Sequence, residues 1–207
     1  MSTIAFGIPE LDSRVGPIVL GSLILVEADE EAYPTLFLHF LLYNIAVKGE
    51  KIAYIIVGDS ALDYEEAVQR AGLNIKGLKG SGIWKYFEEE VGDRALKLAF
   101  KMLKEGYHVV LDMENPPEIS KDDVKLVRES RKLLILRVNP HVSDVKALKK
   151  IERLAHMLMK LHVEKQARRT IRTLEISKFK LTPRSDIEMR YTVSEAGISI
   201  EAVTRII

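Results

Sequence analysis

Short apolar runs alternate with amphipathic stretches over the first 140 residues. Residues 20–26 (LGSLILV) form an uncharged run bounded by polar positions, the pattern of a fully buried strand. Residues 51–57 (KIAYIIV), 107–111 (YHVVL) and 132–138 (KLLILRV) repeat it. Between them the period lengthens to that of helices, over 34–48, 61–71, 93–104, 121–130 and 145–156. Pro34 suits a first helical turn, and Gly49, Gly72 and Gly106 sit where helices stop. The glycine-rich stretch 73–86 is left unassigned, and 113–123 reads as a crossover or site loop.

Beyond residue 156 the helical period vanishes. Residues 157–163 and 171–179 alternate like strands around a charged turn at 164–169. Residues 188–193 and 198–202 form a second pair around 195–197. The prediction is an α/β fold over one domain, 1–207. Its mostly parallel central sheet has helices on both faces and is extended by C-terminal antiparallel strands.

Composition narrows the function classes. The 207 residues carry 31 basic and 30 acidic side chains, which argues against a uniformly basic nucleic-acid coat. There is no cysteine, so disulfides, thiolate metal sites and a thiol nucleophile are excluded. The most apolar stretch, 36–47, is shorter than the ~20 residues of a membrane helix. No signal-peptide pattern opens the chain, so a soluble, cytoplasmic protein is expected. Abundant Lys and Glu without cysteine suit a thermophile. His39 and His108 read as core histidines, His156 and His162 match no metal-ligand spacing, and Trp84 reads as core.

Several segments carry a family resemblance. FGIPELD at 6–12 resembles the TGIPGLD opening of the KaiC-like branch of the RecA-superfamily ATPases. GSLILV at 21–26 resembles that family's first core strand, and IERLAHMLMKL at 151–161 its IERIADGVIRL segment. RTIRTLEISKFK at 169–180, TPRS at 182–185 and VSEAGISI at 193–200 resemble its final hairpins and turn, in the same order. The resemblance spans nearly the whole chain and implies a RecA-like, P-loop NTPase-like domain of archaeal type.

The phosphate-binding loop of that family is degenerate here. The family's GxxxxGK[ST] loop lets backbone N–H groups wrap the phosphates while its Lys reaches the β- and γ-phosphates. The matching segment is EADEEAYPTL at 27–36, with no glycine. Pro34 stands where the Lys belongs, and Thr35 alone matches the Mg²⁺-binding hydroxyl. Glu27, Asp29, Glu30 and Glu31 crowd the loop, a poor receptor for a triphosphate. One of Asp29, Glu30 or Glu31 is expected to cap the N–H groups of the Pro34 helix in place of a phosphate. The competing reading makes them ordinary first-turn acids. No cofactor is assigned.

Asp112 ends a strand resembling the Walker B strand, and Asp59 lies where the family places an acidic pair. Retention by topology alone is one reading. A cation held by Asp59, Asp112 and Thr35 is another, although no metal-ligand set is assigned. Lys178 and Lys180 resemble a Lys-x-Arg pair that in oligomeric relatives reaches the neighbouring subunit's nucleotide; Lys180 replaces the Arg and its rigid fork. Packed head-to-tail, these lysines would face the acidic loop 27–31 of a neighbour. Plain solvated lysines are the alternative.

Charge is unevenly placed. Residues 1–60 carry eight acids against three bases, and 141–190 carry thirteen bases against six acids. The basic set includes Arg169 and Arg172, candidates for an interface or for facing phosphate. Phe179 is its only aromatic, where single-strand platforms stack bases on several. Three functions follow. The favoured one is a non-catalytic RecA-like module, a pseudo-ATPase acting as a structural, regulatory or interaction subunit through self-association or a related RecA-like partner. The alternatives are a nucleic-acid-associated factor and an ATPase with a reworked site.

Overall fold

The structure, a computed structural model, describes residues 2–166, 169–179, 187–194 and 197–201. A short N-terminal unit comprises β1 (Thr3–Ile4), α1 (Pro9–Val15) and β2 (Ile18–Val19). The alternating core follows: β3 (Leu23–Ala28), a 3₁₀ turn at Glu30–Ala32, α2 (Pro34–Ala46), β4 (Ile52–Val57), α3 (Ala61–Arg70), α4 (Lys76–Gly80), β5 (Trp84–Glu89), α5 (Gly92–Lys104), β6 (His108–Asp112), α6 (Lys121–Ser130), β7 (Leu134–Val138) and α7 (Val145–Leu154). The chain then runs through β8 (Met157–Gln166), β9 (Arg169–Phe179), β10 (Ile187–Ser194) and β11 (Gly197–Glu201).

The described strands form a nine-stranded sheet ordered β11-β10-β9-β8-β3-β7-β6-β4-β5, beside a two-stranded β1-β2 ribbon. From β8 to β5 every pairing is parallel, and β9, β10 and β11 add antiparallel pairs at one side. This is the predicted architecture. Alternation along the strands divides the core into two layers. Ile24, Val26, Ile52, Tyr54 and Ile56 face the layer of α1, α2 and α3. Leu23, Leu25, Ala53 and Ile55 face the layer of α5, α6 and α7.

The strand expected from residue 20 begins at Leu23, because the chain turns at Gly21. Gly21 has φ +83°, and a Cβ there would lie 2.8 Å from the Arg128 carbonyl oxygen. The unassigned stretch 73–86 holds α4 and the edge strand β5; Trp84 is fully buried there. The predicted turn 164–169 is shorter than expected, since β8 continues to Gln166 and β9 starts at Arg169. Helix α1 begins inside FGIPELD and buries Leu11 and Val15, one helical turn apart. Its Asp12 accepts the Phe6 and Gly7 N–H groups at 2.7 and 2.8 Å.

Candidate functional site

The C-terminal ends of parallel strands are where open α/β sheets place their ligands. Here β3, β4, β6 and β7 end around a cavity of about 630 Å³ bordered by Glu30, Asp59, Tyr64, Asp112, Glu114 and Arg137. Structure thus gathers three sequence-predicted residues, Glu30, Asp59 and Asp112, and adds Arg137.

The loop after β3 does not have the form of a phosphate cradle. A 3₁₀ turn closes through Ala32 N–H to Asp29 O and Tyr33 N–H to Glu30 O, both at 3.0 Å. Tyr33 follows in the left-handed conformation, at φ 53° and ψ 52°, and is the N-cap of α2. Pro34 takes the first helical position and is buried. No side chain caps α2, and Asp29 caps neither α2 nor the 3₁₀ turn. The expected capping by Asp29, Glu30 or Glu31 is therefore corrected. The turn directs these carboxylates to basic side chains of the same chain instead.

Each acidic residue of the loop has a basic side chain as partner. Glu27, buried at the end of β3, lies 3.3 Å from Lys160 on β8. Burial pushes the Glu27 carboxyl up while the lysine opposes the rise. Asp29 lies 2.6 Å from His141, and Glu30 pairs with Arg137. Glu31 lies 2.8 Å from Lys165, and its carbonyl accepts from Arg172 Nε at 3.0 Å. The Arg172 guanidinium also lies 4.5 Å from the Tyr33 ring centre, a cation–π contact that packs β9 on the loop.

Arg137 is the residue the sequence reading missed. It stands in β7, LILRV, with a side chain only 4% exposed. Its Nη1 is 3.2 Å from Asp112 Oδ1, and Asp112 Oδ2 accepts from the Tyr54 hydroxyl at 2.8 Å. A lone arginine in an otherwise apolar buried strand was the available signal, because such a charge requires a buried anion. Burial lowers Arg137 to about 10, so it stays cationic at neutral pH. Burial pushes Asp112 up to about 7, with the Asp59 charge adding to the rise and the Tyr54 and Tyr64 hydroxyls opposing it. The adjacent guanidinium also favours the carboxylate.

Thr35 keeps a different company. Its carbonyl accepts from His39 Nδ1 at 2.6 Å, and its side chain reaches the Tyr64 hydroxyl. His39 Nε2 accepts from Tyr86 at 2.9 Å, and burial lowers this imidazole to about 4. His39 stacks on Tyr54 and Trp84, at ring-centre distances of 4.3 and 5.5 Å. Asp59 is exposed and accepts the Ser60 N–H at 2.8 Å. Among the described residues, no three His, Asp or Glu side chains converge on a metal position.

On the basic side, the Lys178 backbone pairs with Leu158 between β9 and β8, and Arg169 pairs with Gln166. Lys180 lies outside the described residues. Much of the basic C-terminal set is engaged within the chain: Lys150 with Glu118, Lys160 with Glu27, and Lys165 and Arg172 with Glu31.

No family model matches this chain, and no curated protein sequence matches it. Solved structures do. A KaiC-like protein from the hyperthermophilic archaeon Pyrococcus horikoshii superposes with a TM-score of 0.78 at 17% identity, over 97% of this chain and 99% of that one. The flagellar accessory protein FlaH from Methanocaldococcus jannaschii superposes with a TM-score of 0.77 at 19% identity, over 98% and 100%. The strand order, the C-terminal antiparallel extension and these superpositions agree: the chain has the RecA-like fold of the KaiC-like and FlaH structures.

Proposed function

We propose that this protein is a non-catalytic RecA-like module, a pseudo-ATPase that works as a structural, regulatory or interaction subunit. One observation carries the reading. Where a P-loop fold places phosphate and Mg²⁺, this chain has the buried array Arg137–Asp112–Tyr54, with exposed Glu30 pairing Arg137 from its rim. A phosphate site gathers N–H donors and a lysine around an anion. Here the strand-end carboxylate already has a guanidinium, and the loop is a 3₁₀ turn with no glycine. A triphosphate entering this loop would meet Asp29, Glu30 and Glu31 and would displace their pairs at a cost in charge.

ATP with Mg²⁺ is expected to bind the loop with Kd weaker than ~1 mM, a free energy of only about −4 kcal/mol. At 1 mM nucleotide the protein would then gain no more than roughly 0.4 kcal/mol of stability. Calorimetry and thermal melting both read this. A low-micromolar Kd, or ATP hydrolysis abolished by Thr35→Ala and Asp112→Asn, would overturn the proposal.

A further inference from the structure

Strand β5 closes one side of the nine-stranded sheet and pairs only with β4. The register runs unbroken from Ile52 opposite Trp84 to Val57 opposite Glu89. The Ile52 N–H donates to the Ile83 carbonyl at 2.7 Å, and the Gly58 N–H to the Glu89 carbonyl at 3.0 Å. Bonding residues alternate along such a ladder, so Ile83, Lys85, Phe87 and Glu89 turn their main chain toward β4. Trp84, Tyr86 and Glu88 turn theirs outward, and among the described residues no hydrogen bond meets those groups. An open row of N–H and C=O groups is a template for another strand. Proline and bulges commonly blunt such edges, and β5 (WKYFEE) has neither. The residues outside the description, Met1 excepted, adjoin β8–β11 on the other side of the sheet. We infer that this edge pairs with the same edge of a second copy, antiparallel across a two-fold axis, with Phe87 opposite Phe87 and Lys85 opposite Glu89.

The strand's own pattern selects the occupant. A two-fold contact sets a strand against itself, so its sequence must be self-complementary. In this register Tyr86 lies opposite Glu88 of the second copy, and Glu88 opposite Tyr86. Each such pair exchanges both main-chain bonds and uses the outward groups. The Glu88 carboxylate stays with its own chain, where it accepts the Ala61 N–H at 2.7 Å. Lys85, Phe87 and Glu89 alternate with these residues, on the face where Phe87 packs with Ala95 and Ala99 of α5. They form the non-hydrogen-bonded pairs, in which side chains come closest. A Lys85–Glu89 pair then flanks the central Phe87 pair on each side. Sliding one strand by two residues keeps the hydrogen bonds and loses this match. One slip sets Glu88 against Glu88, and the other sets Lys85 against Phe87.

A lysine is also a residue that guards exposed edges, and alone it would oppose pairing. A guard needs no acid at its mirror position. Here Glu89 stands as far beyond Phe87 as Lys85 stands before it. The Lys85 ammonium lies 5.0 Å from the Tyr107 ring centre, and neither Lys85 nor Glu89 forms a salt bridge among the described residues. Nearby charges are matched within the chain, Lys79 with Glu65 and Lys101 with Glu105. The contact is separated from the loop after β3 by β7, β6 and β4, and it does not rest on the pseudo-ATPase reading.

Sedimentation equilibrium of the full chain, from about 1 to about 200 μM, should give a monomer–dimer equilibrium with Kd of about 50 μM or tighter. Lys85→Glu or Glu89→Lys alone places like charges opposite each other on both sides of the axis. Each should raise Kd at least roughly tenfold. The two changes in one chain restore opposite charges and should return Kd to within about threefold of the wild type. Hydrogen exchange above and below that Kd reads the register. The Tyr86 and Glu88 amides should be protected only in the dimer, and the Phe87 amide, which faces β4, in both states. A monomer over the whole range, a dimer indifferent to both single variants, or a double variant as weak as the singles would each overturn the inference. So would an assembly that Tyr33→Ala dissociates while the Tyr86 and Glu88 amides exchange freely. Low-micromolar ATP binding would end the pseudo-ATPase reading and leave this contact standing.

Discussion

At the scale of single residues, Arg137 has the most to lose. It neutralises Asp112 inside the protein and Glu30 at its edge. Removing one partner of a buried pair strands the other charge, so Arg137→Met should cost about 3–5 kcal/mol at pH 8. Adding Asp112→Asn removes the stranded charge and should recover most of that loss. Urea unfolding of the wild type, both single variants and the double variant measures the coupling; additive losses would refute it. His39 gives a pH-dependent counterpart. It is neutral in the fold, lowered to about 4, whereas the unfolded chain protonates it near 6.5. Its contribution is complete above the unfolded value and is lost as pH falls toward 4. His39→Gln removes this titration. The stability advantage of the wild type over that variant should shrink by about 2 kcal/mol between pH 7.5 and pH 5. A gap that stays constant with pH would show that His39 does not titrate this way.

At the scale of elements, the N-terminal motif shows how the seven-residue helix α1 is tied to the chain ahead of it. Gly7 sits at φ +78°, where a Cβ would lie 2.6 Å from Asn44 Cβ on α2. This close approach brings the 6–7 backbone over Asp12, whose carboxylate takes both N–H groups. Hydrogen bonds to an ionised acceptor are the stronger kind, so Asp12→Ala should cost about 1.5–3 kcal/mol. Loss of protection at the Phe6 and Gly7 amides in hydrogen exchange should accompany it; a variant with unchanged stability would refute the role. The loop after β3 follows the opposite course. Sequence pattern marks it as acidic and without glycine, and on that basis its acids look like helix caps. The 3₁₀ turn instead uses the backbone of Asp29 and Glu30 for its own closure. Their side chains are then positioned by His141 and Arg137, residues more than a hundred positions away.

At the scale of the whole molecule, charge segregation along the sequence is largely folded in. Acids of the first sixty residues and bases of the last seventy meet at the seam between the β3 loop and β8–β9. The expected head-to-tail pairing of that loop with a neighbour's lysines therefore loses its spare carboxylates, which already have partners within the chain. Assembly is proposed on the fold and on the exposed Tyr33, whose ring stacks with Arg172 beside the loop after β3. Tyrosine and arginine are the residue types that dominate binding energy at interfaces. Light scattering at about 50 μM should give a native mass above that of one chain, or a RecA-like subunit should co-purify. Tyr33→Ala should weaken the contact roughly tenfold or more. A strictly monomeric particle without a partner would end this proposal.

Local pattern determined most of the strands and helices, the sheet type and the acidic, glycine-free loop, because burial period and turn residues are read within a few positions of each other. The departure of this loop from the GxxxxGK[ST] pattern was also legible, since glycine and lysine are simply not there. Ion-pair partners were not legible. A carboxylate in sequence does not reveal which cation lies opposite, and β7, β8 and β9 reach the loop only because parallel crossovers bring them beside β3. The same holds for Arg137 with Asp112. That contact joins residues from separate strands, and only the strand order of the folded sheet brings them within hydrogen-bonding range.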